Sequence, residues 1–423
     1  MRNLASGRTL LGASVGGLTV LLVLTASLAW AAAPTVVFDS TIAPPTPIGF
    51  DISFVKNDIA KYILADRGTS GSDGRVDLFD AAALTTTPRG TVFLGGIGTG
   101  GFVGTSSGMC GTTPATVRGC NGPNGALIDS SNHVWAGDGP ASKCTTADCR
   151  CFAGETTSMV KEYTLAPSSG ATGRLACVDT GGNFRADEMA FDPRDNLLLV
   201  ANDFDGFLSL INTTGTPTIP VDKFFYADND VGQPASARGL STPGGGIEQP
   251  VWNPQQGFFY QALPQNDAGT TVGRVDVFNP KPGKLVYLRS IAVPGCTGGP
   301  TGLAISAGRE LLGACQNGAA LIDPNSGKVS IIGPAATTGG ADEVWFDPGS
   351  NAWYLGISSP PHVGVVSAAD HTVGSATNPG CCGHSVAAFT ASASQSFIFD
   401  PNTATGMPPN QVGSGISVFS ATP

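Results

Sequence analysis

The stretch from Phe184 to Val200, FRADEMAFDPRDNLLLV, returns as GGADEVWFDPGSNAWYLG, and aligning Asp187 with Asp342 sets the copies 155 positions apart. Each copy holds an acidic pair, an apolar run, a turn with Asp, Pro and Asn, and a second apolar run. A unit this small cannot bury its own hydrophobic face, so a chain built from such copies must stack them against one another.

Seven copies can be aligned. They run from Gly49 to Leu94, from Pro123 to Thr180, from Ala186 to Asp228 and from Glu248 to Pro294, with shorter units opening at Pro300 and Ala341 and a last one at His384. Each contains four short strand-like runs except the last, HSVAAFT, SFIFDP and GISVFSA, which has three. The missing fourth is available near the other end, in TVVFDS from Thr35 to Ser40. Seven four-stranded units, the last completed by the first strand of the mature chain, predict an all-β seven-bladed β-propeller closed by its own termini. The composition agrees, since 58 Gly and 31 Pro in 423 residues supply many turns.

The N-terminus reads as a targeting segment. Arg2 and Arg8 precede an apolar stretch from Val15 to Leu28, and Ala29-Trp30-Ala31 offers a small-residue cleavage site before Ala32. The expected organisation is a signal peptide over 1–31 and a single propeller domain over 32–423, in a secreted or periplasmic protein with no membrane span after cleavage. Loss of the two arginines takes the formal charge from −10 to −12, which argues against a nucleic-acid partner and suits a cationic one. A monomer is expected. Ten Cys in an exported chain imply disulfides. Cys110 and Cys120 bracket a short loop; Cys144, Cys149, Cys151 and Cys177 form a local group that could alternatively hold a metal. Cys296 and Cys315 fall within one repeat, where a bridge would contribute about 3 kcal/mol.

The runs PNGALIDSSNHVWAGDG and ADEMAFDPRDNLLLVAND resemble blades of exported YVTN-type propellers and, more distantly, of the gluconolactonase and senescence-marker group. That resemblance implies a divalent cation at one mouth of the central channel, held by Asp, Glu and Asn, with the Asn of PNG matching Asn124. Where the group carries a Glu in its first blade, this chain has Asp51.

The residues themselves point to the same mouth. In a propeller the first strand of each blade lines the channel, so the residue opening that strand faces the axis. The alignment places Asp51, Asn124, Asp187, Glu248, Thr301, Asp342 and His384 there. Four converging carboxylates repel one another, so either protons or a cation must neutralise them. Asp51, Asn124, Asp187, Glu248 and Asp342 are therefore the expected metal ligands. Oxygen donors favour calcium, and His384 also permits a transition metal. Two other readings use the same positions: strand caps holding water, and direct binding of a cationic ligand. Glu188 and Glu343, one position on, should face the other way and pair between blades.

Loops after the second strands open at this mouth and carry Asp66, Arg67, Asp138, Asn202, Asp203 and Gln316, a polar cup suited to a small oxygenated molecule or a peptide. The functional expectation is a metal-dependent, lactonase-like hydrolase in which the cation polarises a carbonyl and Glu248 or His384 activates water. The alternative is a non-catalytic propeller that binds a protein, peptide or glycan. GTSSG (Gly104 to Gly108) and GIGTGG (Gly96 to Gly101) lack the strand-turn-helix setting of a nucleophile elbow or a dinucleotide site. His133, His362 and His371 are expected in surface turns.

Overall fold

The computed structural model describes residues 32–42, 49–68, 73–105, 120–214, 219–226, 246–264, 272–380, 383–402 and 415–422. They form seven antiparallel four-stranded sheets arranged as a seven-bladed β-propeller. The inner strands, in chain order, are Phe50–Lys56, Ala126–Ile128, Met189–Asp192, Pro250–Asn253, Leu303–Ile305, Ala341–Asp347 and Ala387–Ser392. In each of the first six blades the chain then runs outward through the sheet in sequence order. The seventh is closed by the N-terminal strand Thr35–Ile42, which pairs antiparallel with Gly415–Thr422, Val36 opposite Ala421 and Ile42 opposite Ile416. The four-strand count at the C-terminus is thus met from the other end of the chain.

The hydrophobic core is divided among the seven interfaces between blades. Phe50, Tyr62 and Phe79 of the first blade pack on Phe389, Phe397 and Phe399 of the seventh, and Leu199, Leu208 and Phe224 of the third on Trp252, Phe259 and Phe278 of the fourth. The other five interfaces have their own clusters of the same kind. Because both faces of a blade are covered, middle strands read as unbroken apolar runs; Leu197–Asn202 is buried throughout. Among the described residues no helix is long and apolar enough to cross a membrane.

The repeated turn has a specific cause. After the inner strand an Asp or Asn side chain accepts backbone N–H groups two to four residues on. Asp129 takes those of Ser131 and His133 at 2.8 and 2.9 Å, Asp192 that of Arg194 at 2.9 Å, Asn253 that of Gln255 at 3.0 Å and Asp347 that of Ser350 at 2.9 Å. The hairpin then needs one residue with positive φ, supplied by Asn132, Asn196, Gly257 and Asn351. The second half of the repeated phrase is therefore turn chemistry.

Three disulfides join described residues: Cys144–Cys149, Cys151–Cys177 and Cys296–Cys315. The local group of four is thus used in disulfides, and the bridge within the fifth repeat forms. Cys110, Cys381 and Cys382 lie outside the described residues, as do residues 1–31 and the Ser106–Gly108 part of GTSSG. GIGTGG lies in the outer strand Phe93–Phe102. Two of the three histidines expected in turns are instead in strands: His362 is buried, and half-buried His133 faces Glu162. Only His371, with φ of 60°, sits in a turn.

Candidate functional site at the channel mouth

The first half of the repeated phrase leads to the axis. Asp51 and Asp187, at equivalent positions of the first and third blades, are buried and meet through arginine. Arg67 contacts the Asp51 carboxylate and donates through Nε to Asn124 Oδ1 at 3.0 Å. Arg185 Nε lies 2.6 Å from Asp187 Oδ2, its Nη2 3.2 Å from Asp203 Oδ2 and its Nη1 3.6 Å from Asp51 Oδ2. His384 Nε2 is 3.2 Å from Asp51 Oδ1, and its ring stacks on Phe50 at 5.2 Å. Asn124 donates to the carbonyls of Asn121 at 2.7 Å and Ala186 at 3.3 Å. The following Gly125 is required by close approach, because a Cβ there would lie 2.1 Å from the Asp187 carbonyl oxygen.

Among the described residues the opposite side of the ring has no such cation. Glu248 and Asp342 are half-buried, and no Lys, Arg or His of the described residues lies within 4.0 Å of either. The two copies of the phrase explain the asymmetry. FRADE in the third blade brings Arg185, whereas GGADE in the sixth has Gly340 at that place. Arg185 is the residue that sequence reasoning missed. Its signal was an arginine two positions before an axial Asp in one copy only.

One position deeper lies a girdle of polar side chains. Glu343 Oε2 accepts from the Val386 N–H at 3.0 Å and from Ser385, whose hydroxyl also reaches Ser53 at 2.7 Å, so the sixth, seventh and first blades are tied together. Gln249 reaches from the fourth blade, accepting from Leu303 N–H at 2.7 Å and Val344 N–H at 3.4 Å. Glu343 borders the channel rather than facing away from it, yet it does pair between blades. Glu188 does not: its Oε2 is buried without a hydrogen-bond partner, as are Asp187 Oδ1 and Asp203 Oδ1.

Electrostatics follow from this layout. Burial alone would raise the Asp51 carboxyl, but Arg67, then Arg185, and His384 outweigh it and hold it well below the usual carboxylate range. Burial pushes Asp203 up to about 6 despite Arg185. Asp187 and Glu188 are raised well above their ordinary values, first by burial, and Glu248 by its enclosed setting and by Asp203, Asp342 and Asp187. Seven carboxyl groups (Asp51, Asp187, Glu188, Asp203, Glu248, Asp342, Glu343) thus face two guanidinium groups, Arg67 and Arg185. The excess is acidic, and it lies toward the fourth to sixth blades.

The remaining cup residues divide in two. Arg67 and Asp203 face the axis. Asp66, Asp138 and Asn202 are buried within their blades: Asp66 pairs with Arg75 at 2.6 Å, Asp138 with the fully buried Lys161 at 2.5 Å, and Asn202 donates to Ser209 at 3.0 Å. Gln316 is exposed in the tight turn after Leu311–Cys315. Thr301 donates to the Ala341 carbonyl at 3.1 Å, acting as a strand cap.

Away from the axis, Asp129, His133 and Glu162 bring one ligand atom each within 4.8 Å of one another and could hold a metal ion. This is the one such group of three among the described residues; the axial carboxylates and His384 do not converge so closely. His133 Nδ1 is 2.7 Å from Glu162 Oε1. Asp129 Oδ2 already accepts from Trp135 Nε1 at 3.0 Å, and its Oδ1 from the Ser131 and His133 N–H groups, so a metal would compete with existing partners.

No family model matches the chain, and no curated protein matches its sequence. Among solved structures, a chain of the crystal structure of the mitotic checkpoint complex superposes with a TM-score of 0.55, covering 100% of this chain and 99% of that one at 9% identity. At that identity the likeness extends to the fold alone, and the fold is the seven-bladed β-propeller.

Proposed function

We propose that this is an exported binding propeller whose channel mouth receives an organic cation, the ammonium or guanidinium of a small amine or of a basic peptide side chain. The observation that carries this reading is the unbalanced half of the ring: Glu248 and Asp342 open to the cup beside buried Glu188, with Asp187, Glu188 and Asp203 each keeping one buried oxygen without a donor. A cation entering there relieves mutual repulsion and supplies the missing donors. An organic cation suits the spacing better than a metal ion. Calcium holds its oxygens at about 2.3–2.6 Å and so needs them within about 5 Å of one another, whereas a guanidinium or diamine spreads its donors more widely.

The second reading is the metal-dependent, lactonase-like hydrolase, with calcium before a transition metal at Asp51, Asn124, Asp187, Glu248 and Asp342. The contact of His384 with Asp51 favours it, because a carboxylate that orients an imidazole is the arrangement of a general base. Calorimetric titration with spermidine, an arginine amide and calcium separates the two. Saturable amine binding that weakens about tenfold in Asp342→Asn and Glu248→Gln supports the binding propeller. Amine affinity unchanged in both variants overturns it. Calcium binding lost in Asp342→Asn but kept in His133→Ala, together with turnover of an aldonolactone, establishes the hydrolase.

A further inference from the structure

Beneath the polar girdle the character of the channel reverses. The inner strands of the first six blades line a partly open cavity of about 420 Å³, toward the low end of the 300–1,000 Å³ typical of small-molecule sites. Its wall is apolar, aliphatic with several aromatic rings: Phe54, Met189, Phe191, Val251, Trp345 and Phe346 all line it and all stay half-buried rather than buried. Phe54 and Trp345 meet edge to face at 5.3 Å, which fixes two of the rings. Besides the indole N–H groups of Trp252 and Trp345, which are buried without a partner, three polar side chains reach it, Ser53, Gln249 and Glu343, and each of these is already engaged by the protein, with Ser385, with Leu303 and Val344, and with Ser385 and Val386 respectively.

Water in such a space finds few of the two to four partners it needs, and aromatic surface left facing it gains nothing from solvent. Lys and Arg are absent from the lining, so an anion would meet no countercharge. The mouth residues Asp51, Asp187, Glu248 and Asp342 do not border this space, and the girdle separates it from them. We infer that the channel below the girdle is a second binding site, distinct from the acidic mouth, for a small uncharged and mainly apolar molecule carrying a flat ring or a short hydrocarbon body. This inference does not depend on what the mouth binds.

Titration of the full chain with the uncharged fluorophore N-phenyl-1-naphthylamine tests it. One saturable site per chain is expected, with emission enhanced on binding. Val251→Trp, which fills the cavity from the fourth blade, should weaken probe binding at least tenfold, and Asp342→Asn at the mouth should leave it unchanged. Ile305→Phe fills the same space from the fifth blade and decides the question should the larger substitution disturb folding, as judged by circular dichroism. Non-saturable binding by the wild type, undiminished binding in a folded filled variant, or an equal loss in Asp342→Asn would each overturn the proposal.

Discussion

Arg185 carries more of the electrostatic balance than any other side chain at the mouth. It touches Asp51, Asp187 and Asp203 together, and its guanidinium also lies over the Phe204 ring at 5.5 Å. Removing one partner of a buried charge cluster costs more than the cluster itself contributes, because the remaining charges are left uncompensated. Arg185→Met should therefore destabilise the protein by about 3–5 kcal/mol at neutral pH. The loss should shrink as pH falls, since Asp187 and Asp203 then take up protons and no longer need the cation. Urea denaturation at pH 7.5 and pH 5 checks both statements, and an equal loss at the two pH values would remove Arg185 from this role.

At the scale of the element, the N-terminal strand is the closure of the ring. Thr35–Ile42 covers the edge of Gly415–Thr422, and Ala33 and Val36 pack against the cluster shared by the sixth and seventh blades. Each blade is supported on both sides, so opening one seam weakens every interface in turn. Deleting residues 32–42 should lower the Tm of the whole protein by several degrees while keeping a single calorimetric transition. A deletion variant that melts with the full-length chain would show that the seventh blade is complete without this strand. The inner hairpins are a different kind of element. In the second, third, fourth and sixth blades their Asp or Asn cap and positive-φ Asn or Gly are local chemistry, and they recur because these blades make the same turn.

For the molecule as a whole, the acidic mouth should appear in the pH dependence of stability. Asp203, pushed up to about 6, holds its proton more tightly when folded than when unfolded, where a carboxyl titrates near 4. Its contribution is fully present below the unfolded value and is lost as pH rises from about 4 through about 6. Asp187, Glu188 and Glu248, also raised by burial, act in the same sense. Asp51 acts in the opposite sense: held low by Arg67 and Arg185, it contributes above about 4 and its contribution is lost as pH falls below that. The Tm should therefore be higher near pH 5 than near pH 8, and should fall again in stronger acid. A cation bound at the mouth should flatten the alkaline side. A Tm that rises steadily from pH 5 to pH 8 without ligand would contradict this account.

The blade count, the inner strands and the closing strand were legible in the sequence, because each rests on a pattern carried by contiguous residues: period-two apolar runs, turn residues at fixed offsets, and a last repeat one strand short. Which residues stand near the start of each inner strand was legible for the same reason, once the repeats were aligned on their turns. What those residues touch was not. Nothing in FRADE announces that Arg185 will span Asp51, Asp187 and Asp203, which are contributed by two blades and two different loops, and nothing near Asp66 or Asp138 separates these blade-internal ion pairs from Asp203, which turns to the axis. The girdle of Ser53, Gln249, Glu343 and Ser385, and the apolar cavity beneath it, come from four and six blades respectively. Local sequence sets the direction of a strand and the spacing of its side chains; only closing the ring brings side chains hundreds of residues apart to one axis, and that convergence decided which charges were neutralised and which were left without a countercharge among the described residues.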